Sequence, residues 1–403
     1  MAPTADVAPT LVRVDAAGLS GPRFAALPPL SLYIHIPWCL RKCPYCDFNS
    51  HEARGEVPET AYVDALITDL ELALPSIWGR RITSIFIGGG TPSLFRAAAI
   101  DRLLAAVRAR LTVTPGAEVT LEANPGTFER EKFAGFREAG INRLSLGIQS
   151  FDPRHLSALG RVHDADEARN AAEAALGIFG NVNFDLMYAL PRQTVAEAMA
   201  DVDAALAYAP PHLSFYHLTL EPNTLFHRYP PELPDDETSA DIEDAVHLRL
   251  SGAGYRHYET SAYARPGREC VHNLNYWQFG DYLGIGAGAH SKLSFADRIV
   301  RQVRFKQPKQ YLESVAAGTP LQEDHEVIRS DVGFEFMLNA LRLTDGVPAT
   351  LFAERTGYPL VLVRQGLEAA EARGLMERDP TSLRPTALGS RFLNDLQQLF
   401  LAA

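Results

Sequence analysis

The chain has 403 residues with 38 basic and 49 acidic side chains, a net charge of −11, and 46% hydrophobic against 22% charged residues. That length suggests roughly two to three domains at about 150 residues each, in an ordinary globular composition able to bury a sizeable core. The acidic balance argues against a general nucleic-acid binder, which needs a cationic excess to displace counterions, and no apolar run reaches the roughly 18 residues of a membrane span.

Residues 1–28 are rich in Ala and Pro and read as a flexible leader. They lack a basic start followed by an apolar stretch, so no secretory signal is expected and the expected place is the cytoplasm. Order begins at Leu30. Short apolar or alternating runs predict strands at LSLYIHIP (30–37), RITSIFIGGG (81–90), EVTLEANP (118–125), INRLSLGIQS (141–150), NVNFDLMYAL (181–190) and HLSFYHLTL (212–220). Helical patterns lie between them: Pro58 to Leu74, Arg96 to Leu111, Thr127 (as N-cap) to Gly140 (as C′), Ala165 to Phe179, and Val195 to Tyr208. Six strand–helix repeats imply parallel strands with right-handed crossovers and functional groups at the strands' carboxyl ends. Six units fall short of the eight of a closed barrel, so the expected fold is an α/β partial (β/α)6 barrel with a lateral mouth.

Beyond residue 230 the pattern changes. An acidic, turn-rich link (PPELPDDETS) leads to a helix over 237–252, a strand over 255–263 and a loop-rich stretch, CVHNLNYWQFGDYLGIGAGAHSKL. From Asp331 the chain reads as a small helical domain: an amphipathic helix, two further helices and a hairpin, in the order of a winged helix. Seven basic against nine acidic residues over 331–403 leave no basic face, so this unit reads as packing or protein contact rather than DNA binding. The expected domains are thus a leader (1–28), a core barrel (29–235), an α/β extension (236–330) and a helical, winged-helix-like carboxy-terminal domain (331–403).

Three of the four cysteines, Cys39, Cys43 and Cys46, fall within eight residues, just after the first strand, with spacing C-x3-C-x2-C; Cys270 stands alone. A tight cluster of this kind points to metal or redox chemistry rather than a disulfide scaffold. A structural zinc site would need a fourth ligand, such as His51 or His35. A buried set of structural thiols conflicts with the polar neighbours Arg41, Lys42 and Asp47. A four-iron cluster held by three cysteines leaves one iron open to an outside ligand. Elsewhere, acidic Glu122 and Asp185 interrupt strands that otherwise read as core, where an unpaired carboxylate is costly. They lie near the carboxyl ends of successive strands together with GGGTPS (88–93), Gln149 and Arg161.

The cysteine spacing, with aromatic Tyr45 before the third cysteine, resembles the radical S-adenosylmethionine (SAM) family. The resemblance implies a [4Fe–4S] cluster on Cys39, Cys43 and Cys46. Its open iron is chelated by SAM, and one-electron reduction then yields a 5′-deoxyadenosyl radical. The ordered strand-end motifs further resemble the oxygen-independent coproporphyrinogen III oxidase-like proteins, which bind two SAM molecules. This places Tyr33, Tyr45, Gly89 and Glu122 at first-SAM positions, and Gly90, Thr91, Gln149, Arg161 and Asp185 at second-SAM positions. Two features depart from the oxidase: Phe48 stands where it has a further cysteine, and the amino-terminal extension is short. The segment VHNLNYW carries the H-N-x-x-Y-W mark of the haem chaperone branch, implying haem near His272, Asn273, Tyr276 and Trp277. That branch takes up haem and passes it to acceptor apo-haemoproteins such as respiratory enzymes, with a homodimer left open as the working form. The competing expectations are a porphyrinogen-decarboxylating radical-SAM enzyme and a zinc-stabilised interaction protein. Cys270 reads as a small buried hydrophobe, with iron ligation as the alternative, and His290 as a residue of the same cavity.

Overall fold

The computed structural model describes residues 21–126 and 129–401; Thr127, expected as an N-cap, and most of the expected leader lie outside them. The six expected strands form in order: β1 (Leu30–Ile36), β2 (Arg81–Gly89), β3 (Thr112–Ala123), β4 (Arg143–Gln149), β5 (Val182–Tyr188) and β6 (His212–His217). Each pairs in parallel with the next. The connecting helices are α1 (Glu59–Ala73), α2 (Ala97–Arg110), α3 (Glu129–Ala139), α4 (Ala165–Ile178) and α5 (Val195–Ala207). Local chemistry sets their starts. Asp164 and Glu167 form a reciprocal capping box on α4, and Thr194 and Glu197 form one on α5, each satisfying amide groups that the first turn leaves without partners.

The sheet extends beyond the six. After α6 (Asp236–Gly252), the strand expected over 255–263 is a tight antiparallel pair, β7 (Arg256–Glu259) and β8 (Ala262–Ala264), with β8 added to β6. The chain turns at Thr260, whose amide bonds Arg342 O at 3.1 Å. The stretch expected to be loop-rich is instead ordered: a helix α7 (Val271–Trp277), then β9 (Asp281–Ile285), β10 (His290–Ser294), β11 (Ile299–Arg304), helix α8 (Pro308–Ala316) and β12 (Leu321–Glu326). Strand β9 pairs in parallel with β1, adding a seventh parallel strand on the side opposite β2. The full order of the twelve-stranded sheet is β12-β11-β10-β9-β1-β2-β3-β4-β5-β6-β8-β7. Two features disguised β9 in the sequence. Its glycine at 284 is required because a Cβ there would lie 2.1 Å from His290 O. Its first residue, Asp281, is charged yet fully buried, held by Lys292 at 2.9 Å and Arg80 at 2.8 Å.

The largest apolar cluster lies between the barrel strands and the outer helices, with Leu32, Ile34, Ile85, Leu121, Leu146 and Phe184 facing α1 to α5. A second cluster is built around Phe336, Met337 and Phe352, and reaches back to Phe279 and Ile299 of the extension. It holds the carboxy-terminal unit: α9 (Arg329–Ala340), α10 (Thr350–Thr356) and α11 (Arg364–Ala372), with a two-stranded pair formed by Val347–Pro348 and Ser382–Leu383. The helices come in the expected order, but this strand pair is not a hairpin, because α10 and α11 lie between its two strands. Among the described residues no helix is long and apolar enough to cross a membrane.

Candidate functional site

At the carboxyl ends of the parallel strands lies a cavity of about 750 Å³, within the range of small-molecule sites. Its wall includes Cys39, Tyr45, Cys43 and Cys46 from the loop after β1, Gly89, Gly90 and Thr91 after β2, Glu122 and Asn124 on and after β3, Gln149 on β4, Arg161 beyond it, and Asp185 on β5. Residues scattered over nearly 150 positions therefore meet because parallel crossovers bring every strand's carboxyl end to one face. Phe48, 60% exposed, also lines it.

Hydrogen bonds tie the cysteine loop to the strand ends. Thr91 Oγ1 lies 3.5 Å from Cys39 Sγ, Arg161 Nη1 lies 3.6 Å from Cys43 Sγ, and Cys46 Sγ lies 3.5 Å from Ser50 Oγ. Asn124 links the first two: its Nδ2 donates to Thr91 Oγ1 at 2.8 Å, and its Oδ1 accepts from Arg161 Nη2 at 2.6 Å. Sequence reasoning passed over Asn124, although it sits in the EVTLEANP run (118–125); an amide with a donor and an acceptor at a strand end was the available signal.

The glycines serve the scaffold as well as the cavity. The Gly90 and Thr91 amides bond Ile36 O and Trp38 O at 2.8 and 2.7 Å. A Cβ on Gly90 would come within 2.6 Å of Trp38 O, and Gly89, at φ +120°, would press one against the His35 ring. Only glycine lets β2 run this close under the cysteine loop. Gln149 has φ +69° at a register shift between β4 and β5, a bulge that re-aims its side chain at the rim.

Two carboxyls stand deep in the cavity. Burial, then the nearby Asp185, raise the Glu122 pKa to about 8, against a single backbone hydrogen bond from Gly89 N at 3.0 Å. Burial raises Asp185 to about 6, offset in part by hydrogen bonds from Ser145 Oγ (2.8 Å) and Asn183 Nδ2 (2.7 Å). The arginine closest in sequence pattern, Arg161, is committed to Asn124 and to Gly147 O at 2.9 Å. Glu122 is thus held toward its neutral form at neutral pH while Asp185 titrates above the usual carboxylate range, and both are able to receive a cationic ligand group.

The donor set bears on which metal the loop can hold. Three thiols on one short loop suit an iron–sulfur cluster, whereas a structural zinc site wants four protein ligands. Neither expected zinc partner faces the thiols: His35 bonds Tyr33 Oη and Asn49 O, and His51 lies 3.3 Å from Asn49 Oδ1.

Tyr33 lies outside the cavity wall, with its ring 5.5 Å from that of Phe86. The H-N-x-x-Y-W residues are also outside it, on α7. His272 is 4% exposed, stacked on Phe86 with ring centroids 4.2 Å apart. Its Nδ1 meets Glu118 Oε1 at 2.9 Å and its Nε2 meets Cys270 Sγ at 3.3 Å. Burial pushes the Cys270 thiol up and the His272 imidazole down. Glu118 Oε1 also accepts the Val271 and His272 amides at 3.1 and 3.3 Å, and so caps α7. Tyr276 packs edge-on to Tyr282, 4.9 Å between centroids, and Trp277 lies under the Arg342 guanidinium. His290 lines a separate groove with Arg301, Glu323 and His325 rather than the main cavity.

Residues 33–205 match the model of the Radical SAM superfamily, and residues 329–392 that of the HemN C-terminal domain. Heme chaperone HemW of Escherichia coli (strain K12) is 48% identical over 378 residues, covering 93% of this chain and 99% of that protein. Heme chaperone HemW of Bacillus subtilis (strain 168) is 33% identical over 379 residues, covering 92% and 99%. Among solved structures, coproporphyrinogen III oxidase (HemN) from Escherichia coli, a radical SAM enzyme, superposes with a TM-score of 0.80 at 24% identity, covering 93% of this chain and 90% of that one.

Proposed function

The chain belongs to the heme chaperone HemW family of radical SAM proteins, and from that premise we propose that it binds haem and transfers it to acceptor apo-proteins while carrying a [4Fe–4S] cluster and SAM. The observation that carries this reading is identity to heme chaperones along 93% of the chain, including the carboxy-terminal half. In this reading Cys39, Cys43 and Cys46 hold the cluster. The glycine edge Gly89–Thr91, with Tyr45, Glu122, Gln149, Arg161 and Asp185, receives SAM, whereas Tyr33 stands behind the wall and supports it through His35. When bound, the cluster supplies a low-potential electron at an iron open to an outside ligand. This chain's own residues do the rest. The Thr91, Ser50 and Arg161 contacts orient the thiols, Glu122 and Asp185 offer buried acceptors for cationic ligand groups, and Asn124 keeps Arg161 aligned. Gly90 keeps the loop and β2 in register.

His272, Asn273, Tyr276 and Trp277 form the haem-handling segment of this proposal. His272 is occupied by Glu118 and Cys270, so ligation of iron by His272 requires α7 to move off Phe86. Acceptors include respiratory haem enzymes, the working form includes a homodimer, and the place of action is the cytoplasm. Two assays test the function. The anaerobically reconstituted protein should give a haem Soret shift and lose it to an apo-haemoprotein added in excess. It should yield no vinyl product from coproporphyrinogen III, SAM and a reductant. Conversion at catalytic rates with no haem uptake would replace the carrier by a porphyrinogen enzyme.

A further inference from the structure

Besides the cysteine loop, Glu122 and Asp185, the wall of the main cavity includes Tyr216, Ser261 and Arg342. Arg342 comes just after α9, so the carboxy-terminal unit contributes a cation to a cavity whose other wall residues come from the barrel and the β7–β8 turn. Its backbone is fixed by the bond from the Thr260 amide to its carbonyl at 3.1 Å.

The guanidinium is held but incompletely satisfied. Nη2 donates to Glu259 Oε2 at a long 3.4 Å, and the guanidinium carbon lies 4.2 Å from the centre of the Trp277 ring. Its Nε is buried without a hydrogen-bond partner, as is the Nε1 of Trp277 beneath it. The Nε carries no accessible surface, so the part of the side chain that a ligand in the cavity meets is the guanidinium's terminal end. The side chain as a whole keeps 29% exposure, so a ligand in the cavity can reach it. Stacking on an aromatic face leaves the in-plane N–H groups of an arginine free for a planar, two-oxygen acceptor.

We propose that Arg342 is the anion anchor of this cavity and receives a carboxylate of the ligand, a propionate of a tetrapyrrole, while Trp277 and Glu259 hold the guanidinium in place for it. The ligand class rests on the haem-binding reading above. The arrangement also joins the cavity to the H-N-x-x-Y-W helix, because one arginine touches both the cavity and Trp277.

The test uses the full-length protein and three probes: haem, haem dimethyl ester, and iron-free coproporphyrin III, which keeps its carboxylates. Wild-type protein should bind haem about tenfold more tightly than the ester, the scale of one charge-assisted contact. Arg342→Gln should weaken haem and coproporphyrin about tenfold each and leave the ester unchanged, so that discrimination disappears. Arg342→Lys, which keeps the charge without the planar fork, should restore part of it and guards against misfolding of the glutamine variant. Unchanged discrimination in both variants overturns the proposal. Arginine-dependent coproporphyrin binding with no haem uptake overturns the haem reading and leaves the carboxylate site standing. Failure to bind any of the three overturns both.

Discussion

Replacing Glu122 by Gln gives a sharp test of how the cavity is electrostatically set. The native carboxyl has a pKa raised from 4.5 to about 8 by burial and by Asp185. The unfolded chain holds the same proton near its ordinary value. The native state therefore binds the proton more tightly, so stability is fully present below about pH 4.5 and falls as pH rises through about 8. At 1.36 kcal/mol per unit, the gap corresponds to a loss on the order of 5 kcal/mol across that window, an upper figure because water entry and rearrangement reduce it. The glutamine variant keeps an oxygen for the Gly89 amide and removes the ionisation. Urea unfolding under anaerobic conditions without SAM, repeated from pH 5 to pH 8, should show the wild type losing stability more steeply than the variant, by several kcal/mol over the range. A cationic ligand group placed against Glu122 would restore the ionised form. SAM binding near pH 7 should therefore release a proton, detectable by calorimetry in buffers of different ionisation enthalpy. Parallel pH–stability curves for wild type and variant would refute the reasoning, since Glu122 would then be ionised throughout.

Three further outcomes are expected. Asp281→Asn leaves Lys292 and Arg80 without their buried counter-charge, which should lower unfolding free energy by about 3–5 kcal/mol in urea titrations; adding Lys292→Met should recover part of it. Gly90→Ala drives a Cβ to within 2.6 Å of Trp38 O beside Cys39, so iron content after anaerobic reconstitution should fall severalfold while circular dichroism stays close to wild type. Cys43→Ser should lower iron in the same assay, whereas Cys270→Ala should leave it unchanged, because Cys270 is buried with Glu118 and His272.

The barrel was legible because its signals are local and periodic. Each of β1 to β6 is a short apolar run bounded by turn residues, and α4 and α5 begin at side-chain caps. The cysteine loop, the glycine edge and the strand-end acids could also be placed, since parallel topology alone carries strand ends to one face. What escaped depends on contacts distant in sequence. Strand β9 begins with a buried aspartate whose charge is matched only by Lys292 and Arg80, so in isolation DYLGI reads as loop. Asn124 has meaning only through Thr91 and Arg161. Gly90 reads as a ligand-facing residue from its motif, yet its tightest constraint is the Trp38 carbonyl. The H-N-x-x-Y-W segment read as part of a loop-rich stretch, but it folds as a short helix whose histidine is claimed by Glu118, a residue 154 positions earlier.

The most direct test of the account is the electron paramagnetic resonance spectrum of the dithionite-reduced, anaerobically reconstituted protein, recorded with and without SAM. A reduced [4Fe–4S] signal whose g-values change on adding SAM is the predicted result, because three thiolates leave one iron free to take the ligand. A signal indifferent to SAM, or protein that takes up zinc and assembles no cluster, would contradict it.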